Sequence, residues 1–174
     1  FAISLRYDIA HAVTRLQQFN DKPTVSTMDA AIRIASYLSC TDTFKLGGPS
    51  VYGNDMSYYC DSDHAGDSKL TLRSHTGMIA FLNNIPIHWR SKKQPKTVTS
   101  PAMAEIYALG EALREFRCLK WQAEDLGIQP PSPFTVQVDN EQAISFKRNT
   151  CLHSKIRGCV SLNEKWVKEL RDDG

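Results

Sequence analysis

The chain has 174 residues, a length that suits one domain or one domain with an appendage. It is 41% hydrophobic and 23% charged, which is ordinary for a folded globular protein, and no stretch is apolar enough to span a membrane. The net charge of +2 is too small to indicate a nucleic-acid partner by itself, so the distribution of charge must be examined instead.

The N-terminus and the cysteine content also indicate which kind of protein this is. The chain begins at Phe1 without a signal-peptide pattern, which predicts a segment of a longer protein. Its five cysteines form no CxxC pair and are odd in number. We therefore expect reduced, structural thiols in an intracellular protein and not a secreted disulfide framework.

Two amphipathic helices are predicted in the first third of the chain. Apolar residues recur at helical spacing from Ile9 to Phe19, and a second helix starts with Ser26 and Thr27 as its cap and runs to Leu38. Each helix has one apolar stripe and must pack on another part of the chain. After the two helices, the glycine, proline and serine residues at positions 47–50 predict a linker.

The remainder is predicted to be an α/β domain. Strands are expected at residues 56–61, 76–82 and 85–90, and the last two are joined by Asn83 and Asn84, which tolerate the positive φ of a tight hairpin. Residues 91–96 are polar and predict a loop, and a helix follows over residues 101–125. A strand ending at Asp139 and helices at 140–146 and 162–170 give the order β-β-β-α-β-α-α.

Three acidic residues lie where carboxylates can converge. Asp61 and Asp139 each end a predicted strand, and Glu105 lies in the first turns of the predicted long helix. Three carboxylates suit magnesium, and two magnesium ions can cut a phosphodiester bond, so we predict a metal-dependent nuclease. Taken singly, each residue is more often structural, as a turn aspartate, a first-turn glutamate or a helix cap.

Basic residues are the second candidate feature. No acidic residue interrupts the segment from position 90 to 101, and a second basic stretch, which includes His153, follows Asp139. Such runs are usually solvated surface, but beside an acidic metal site they can hold a nucleic-acid backbone. The candidates for backbone contacts are Arg90, Lys92, Lys93, Lys96 and His153.

Several motifs together resemble the ribonuclease H domain of copia-type LTR retrotransposons. The residues D-S-D-H-A-G-D at 61–67 are similar to the family's D-A-D-W-A-G-D, and A-E-I-Y-A-L at 104–109 to its A-E-Y-x-A-L. Further similarity covers residues 73–77, 87–95 and 138–144, and residues 6–19 resemble the end of the reverse transcriptase. The resemblance extends over almost the whole chain in matched order and spacing.

This resemblance implies a ribonuclease H-like mixed five-stranded sheet flanked by helices at residues 51–174. Residues 1–50 would be a helical extension from the reverse transcriptase. It implies hydrolysis of the RNA strand of RNA–DNA hybrids during reverse transcription, with Asp61, Glu105 and Asp139 as catalytic ligands of two Mg²⁺ ions, for which Mn²⁺ can substitute. Asn140 and Gln142 are candidates for strand contacts. The implied partners are the hybrid and the rest of the polyprotein, including reverse transcriptase and integrase, and no membrane. The implied location is intracellular, in a cytoplasmic particle or the nucleus.

Departures from the family pattern keep other functions open. Alignment without gaps places Ser161 at the family's fourth acid, and serine cannot replace a carboxylate at a magnesium site. One alternative is therefore a weak or inactive relic that binds hybrids or has a structural role. An integrase or transposase of the same fold ranks lower, because those enzymes place the glutamate last, whereas Glu105 lies between the two aspartates.

Overall fold

The computed structural model describes residues 5–48, 53–64, 66, 72–130 and 136–139. A short 3-10 helix, Tyr7–Ile9, precedes the first α-helix. None of the helices in the described ranges is both long and apolar enough to cross a membrane. In chain order, the other helices and strands are α1 Ala10–Gln17, α2 Val25–Cys40, β1 Met56–Asp63, β2 His75–Leu82, β3 Ile85–Lys93, α3 Pro101–Asp125 and β4 Val136–Gln137.

The four strands form one mixed sheet in the order β3-β2-β1-β4. Strands β1 and β2 are antiparallel, as are β2 and β3, whereas β1 and β4 run parallel. The parallel pair is joined through α3, as parallel neighbours require a crossover connection. As a result, the ends of β1 and β4 lie at the same edge of the sheet.

The turn between β2 and β3 is explained by its two asparagines. Asn83 and Asn84 have φ values of 51° and 64°, which asparagine tolerates better than most residues. The Asn83 side chain also accepts a hydrogen bond from the Asp55 backbone N–H at 3.2 Å and donates one to the Gly53 carbonyl at 2.7 Å. The turn therefore secures the segment that leads into β1 as well as the hairpin.

Helix α3 packs on one face of the sheet and forms the core with it. Ser100 caps the helix by accepting a hydrogen bond from the Met103 N–H, and a proline occupies the first turn. Alternate β1 residues face the helix, and the Tyr58 and Phe116 rings lie 4.8 Å apart between centroids. Three small residues of the helix have no exposed surface, which is consistent with close packing of α3: Ala104, Ala108 and Ala112.

The N-terminal helix α1 packs against the edge strand β3. The Thr14 hydroxyl donates to the Ser91 carbonyl at 3.2 Å, and His11 Nδ1 lies 3.1 Å from Ser91 Oγ. The Tyr7 ring meets Trp89 edge-on with centroids 5.8 Å apart. These contacts attach the N-terminal segment to the sheet on the face opposite α3.

Most of the predicted element order is confirmed in the described residues. The helix at 101–125 and the asparagine hairpin are as predicted, and the mixed sheet is compatible with a ribonuclease H-like fold. The described part contains four strands where five were expected. The division at residue 50 stays a prediction, and the helices expected at 140–146 and 162–170 lie outside the described residues.

Several boundaries were predicted wrongly, including the end of β1, which lies at Asp63 and not at Asp61, and the end of β4, which lies at Gln137 and not at Asp139. Strand β3 continues to Lys93, because residues 91–93 pair with β2 even though their polar character predicted a loop. Helix α2 starts at Val25, one residue before the predicted cap. Its cap is Thr24, whose hydroxyl accepts from the Thr27 N–H while the Thr27 hydroxyl accepts from the Thr24 N–H, a reciprocal capping box.

Candidate metal centre

Three carboxylates converge at the edge of the sheet where β1 and β4 end. Asp61, Glu105 and Asp139 each offer one oxygen, and these oxygens all lie within 4.8 Å of one another. Tyr59 of β1 is paired with Gln137 of β4, and the same register carried two residues further places Asp61 beside Asp139. The parallel pairing therefore brings together two aspartates that are distant in the sequence.

Glu105 reaches the same point from α3. It is in the second turn of the helix, between two residues, Ala104 and Ile106, that are buried against the sheet. Only 5% of Glu105 is exposed, whereas Asp61 and Asp139 are exposed. The site thus combines one carboxylate from the protein interior with two that are open to solvent.

The electrostatics of the site penalise a charged Glu105 in the absence of a cation. Burial is the main factor that raises the pKa of Glu105 to about 7, and the negative charges of Asp61 and Asp139 act in the same direction. A hydrogen bond from the Ser62 backbone opposes them. Glu105 Oε2 is buried and has no hydrogen-bond partner among the residues that the structure describes. Burial and the same three carboxylates raise the pKa of the Cys60 thiol to about 12, so this cysteine stays protonated.

These features fit a divalent cation of the hard, oxygen-binding type. A cation would give the buried Glu105 oxygen a partner and offset the repulsion among three carboxylates. Carboxylate oxygens are the ligands that such ions prefer. The structure brings together the three residues that the sequence predicted as ligands, while their catalytic role stays a prediction.

A cavity of about 730 Å³ extends from the two aspartates of the cluster along the sheet face opposite α3. Asp61 and Asp139 lie at one part of its lining, and Tyr7 and His11 of the N-terminal segment line another. Sequence reasoning did not identify these two residues, because no local pattern indicates which sheet face an N-terminal helix will cover. Asp63 also lines the cavity but is not one of the three converging carboxylates.

The predicted basic run is divided between the two faces of the sheet. Arg90 and Lys92 pair with β2 residues that face α3, and Arg90 forms an ion pair with Glu115 of that helix. Lys93 is on the opposite face, where its ammonium group donates to Gln18 Oε1 at 2.8 Å. Lys92 is exposed, as is Lys96 in the segment after β3. The four side chains therefore do not form one basic surface.

The other predicted contact residues fall in parts of the chain that the structure does not describe. Asn140, Gln142 and His153 lie outside the described residues, as does Ser161 at the position of the expected fourth acid.

Gln94 was not singled out from the sequence, although it belongs to the stretch that carries the resemblance. It is buried and polar at the end of β3, and its side chain lies close to Ser62 and Ala104, the neighbours of two of the carboxylates. A signal was present in the sequence, since a polar residue directly after a strand can reach into the fold, but the pattern does not say what it contacts.

Comparison with known proteins found relatives over most of the chain. It is 34% identical over 87% of its length to the retrovirus-related Pol polyprotein from transposon RE1 of Arabidopsis thaliana, covering 10% of that protein. It is 32% identical over 97% of its length to the corresponding polyprotein from transposon RE2 of the same plant, covering 12%. It is 30% identical over 98% of its length to that from transposon TNT 1-94 of Nicotiana tabacum, covering 13%.

The chain thus spans about a tenth of the length of these curated relatives. No protein-family model matches it. No solved structure matches it either.

Proposed function

Because this chain belongs to the same family as the retrovirus-related Pol polyproteins of copia-type transposons, we propose that it is their hybrid-cleaving segment. In this proposal it hydrolyses the RNA strand of an RNA–DNA hybrid during reverse transcription. The observation that supports this most is the convergence of one carboxylate oxygen each from Asp61, Glu105 and Asp139 within 4.8 Å. A nuclease of this kind requires such a cluster, whereas a purely structural domain gains nothing from the repulsion within it.

The three carboxylates would hold Mg²⁺, with two ions at work and Mn²⁺ as a substitute. Bound divalent ions of this type supply an activated water, neutralise charge on the scissile phosphate and stabilise the leaving oxygen. Glu105 contributes a rigid ligand, because its helix is packed against the sheet. Asp61 and Asp139 present their carboxylates on the solvent side, where a nucleic-acid backbone can approach.

Protonation of Glu105 would compete with metal binding. The folded protein without a cation holds the pKa of this carboxyl at about 7, so the ligand carries a proton in mildly acidic solution. Binding of a cation requires the ionised form. Activity should therefore rise with pH up to about neutrality and fall in acid as the proton displaces the ion.

The surroundings of the site suggest how a hybrid would be held. Lys92 and Lys96 are exposed and have the charge that a phosphate backbone needs. The Arg90 charge is largely neutralised by its ion pair with Glu115. The chain would act as one segment of a longer polyprotein, beside reverse transcriptase and integrase, in an intracellular particle or the nucleus.

Cleavage of a labelled RNA–DNA hybrid with and without Mg²⁺ tests the proposal. We expect metal-dependent cutting of the RNA strand and a loss of at least about 100-fold in Asp61→Asn, Glu105→Gln and Asp139→Asn. Asp63→Asn is the matched control, because Asp63 is an exposed aspartate of the same strand that lies outside the cluster. This variant should keep its activity.

Two outcomes would contradict the proposal in different ways. Retained hybrid binding without any cleavage by the intact chain would favour the inactive relic, for which Ser161 at the fourth acidic position provides a reason. Cleavage that is unchanged in all three cluster variants would place the active site elsewhere.

A further inference from the structure

Gln94 occupies an unusual position for a long polar side chain. It directly follows β3, only 2% of it is exposed, and its backbone N–H donates to the Ser74 carbonyl at 2.8 Å. Burying an amide is costly unless it forms hydrogen bonds. Its side chain must therefore be held by specific partners.

Those partners come from three different elements. Gln94 Nε2 lies 3.0 Å from the carbonyl oxygen of Ala104 in α3 and 3.1 Å from the Thr76 hydroxyl in β2. It also lies 3.5 Å from the Ser62 hydroxyl in β1, at the limit of a hydrogen bond. The two short contacts use the two amide protons, and the third is weak.

The orientation of the amide is set by the chemistry of its partners. The Ala104 carbonyl can only accept, so the NH₂ group and not the amide oxygen must face it. Thr76 and Ser62 have hydroxyl groups, which adapt to either orientation. Within the described part of the chain, Gln94 Oε1 is buried without a hydrogen-bond partner, and the contacts that hold the side chain there are made through its nitrogen.

Two of these partners are neighbours in the chain of converging carboxylates. Ser62 is next to Asp61, and Ala104 is next to Glu105. The buried amide therefore joins the α3 backbone beside Glu105 to Thr76, which is paired with Ser62 in the ladder of β1 and β2. A displacement of α3 along β1 would break its bond to Ala104 and would also change the separation of the Asp61 and Glu105 oxygens.

We propose that Gln94 is a positioning residue for the metal centre, which fixes the start of α3 against β1 and β2 so that Glu105 and Asp61 can bind the same cation. This inference rests on the proposed function, since it takes the three carboxylates to hold a divalent ion. Gln94 does not itself touch the ion. Groups that orient metal ligands affect affinity by about 10- to 100-fold when they are removed, and an indirect connection of this kind belongs at the lower end.

Binding of Mn²⁺ to the intact chain tests this, with free Mn²⁺ measured by electron paramagnetic resonance. Gln94→Met keeps the length of the side chain and removes its hydrogen bonds, so we expect about 10-fold weaker binding. Thr76→Val removes one partner with almost no change in shape, and we expect a smaller loss in the same direction. All proteins are compared at a temperature where circular dichroism shows them to be folded.

Phe116→Leu is the matched control for general destabilisation. Phe116 is in the same helix and is fully buried against Tyr58, and it belongs to the apolar core and not to the hydrogen bonds around Gln94. We expect this variant to lose stability while it keeps its affinity for Mn²⁺. Weaker binding in Gln94→Met together with unchanged binding in Phe116→Leu supports a positioning role and not a merely structural one.

The remaining outcomes separate the two proposals. If the unmodified chain binds Mn²⁺ and Gln94→Met and Thr76→Val bind it equally well, the role of Gln94 is wrong and the proposed function is unaffected. If Gln94→Met does not fold, unchanged binding in Thr76→Val overturns the role and weakened binding supports it. If the unmodified chain binds no Mn²⁺, the proposed function fails and this inference fails with it.

Discussion

Glu105 of α3 and Asp61 of β1 hold carboxylate oxygens within 4.8 Å of each other, although one side chain is buried and the other is exposed. Two negative charges at that distance repel, and burial of Glu105 weakens the screening of this repulsion by solvent. The pair is therefore unfavourable in the fold without a cation. This relationship links the stability of the chain to both pH and divalent ions.

The first prediction concerns the stability of the metal-free protein. The pKa of Glu105 is raised from 4.5 to about 7 in the folded state, so the folded chain binds the proton more tightly than the unfolded one. Stability should therefore fall as pH rises from about 4.5 to 7, by about 3 kcal/mol at most, and then level off. Urea unfolding in a chelating buffer at several pH values measures this, and Mg²⁺ should restore stability at pH 8.

Glu105→Gln is the control for this effect. It removes the charge and keeps the shape, so the difference in unfolding free energy between it and the unmodified protein isolates the Glu105 contribution. A difference that does not change with pH would show that Glu105 is not buried beside other carboxylates as the structure has it.

The second prediction concerns the basic residues near β3. Lys92→Gln and Lys96→Gln should each weaken hybrid binding and reduce the slope of log affinity against log salt by about 1, because each removes one phosphate contact. Arg90→Gln should have a smaller effect, since Glu115 already neutralises that charge. Binding measured by fluorescence anisotropy over a range of salt concentrations checks this.

Glu115→Gln provides the complementary test. Removal of the carboxylate releases the Arg90 guanidinium for other contacts, and hybrid affinity should rise. If Arg90→Gln and Lys92→Gln reduced the slope of log affinity against log salt equally, the neutralisation of Arg90 by Glu115 would be contradicted.

The third prediction concerns His75, the first residue of β2, whose side chain contacts the N-terminal helical segment. Only 2% of it is exposed; its Nε2 lies 3.2 Å from Gln18 Nε2, and its ring meets His11 edge-on. Burial is the main factor that lowers the pKa of His75 below its usual 6.5. The positive groups of Arg15, His11 and Lys93 add to this, while Asp63 opposes it. The neutral form is therefore favoured in the fold.

The contribution of His75 is fully present above pH 6.5 and should be lost as pH falls below that value, because the unfolded chain then binds the proton more readily. Thermal unfolding at pH 7.5 and 5.5 measures the loss. His75→Gln should be less sensitive to acid than the unmodified protein, while His88, whose pKa is also lowered by burial, remains in both. Equal acid sensitivity in the two proteins would assign the effect to other groups.

The fourth prediction concerns the β2–β3 turn. Asn83→Ala should cost about 1–2 kcal/mol of unfolding free energy, because alanine fits a φ of 51° poorly and loses both side-chain bonds to the segment before β1. Asn84→Gly is the matched change, since glycine adopts positive φ without strain, and it should be tolerated. Urea denaturation gives both values, and equal costs would contradict the role of the Asn83 side chain.

Local patterns determined the element order from β1 to β4 and the turn between β2 and β3. Alternation of apolar residues predicts a strand, and a proline followed by helical spacing predicts α3, because both depend on neighbours in the sequence. Paired asparagines predict the hairpin for the same reason. The end of β3 was missed, since polar residues can pair in a ladder whenever a partner strand is present, and the local sequence does not carry that information.

The sequence by itself determined which three acids were candidates, because each has a recognisable local setting at a strand end or in a helix. Only the tertiary structure decided that Asp61, Glu105 and Asp139 meet, since this depends on the parallel register of β1 and β4 and on the close packing of α3. It also decided that Arg90 and Lys93 lie on opposite faces of the sheet, and that a buried Gln94 connects the regions beside two carboxylates. Contacts between residues far apart in the chain form only when the whole fold compensates for the entropy lost in bringing them together, so no local pattern can specify them.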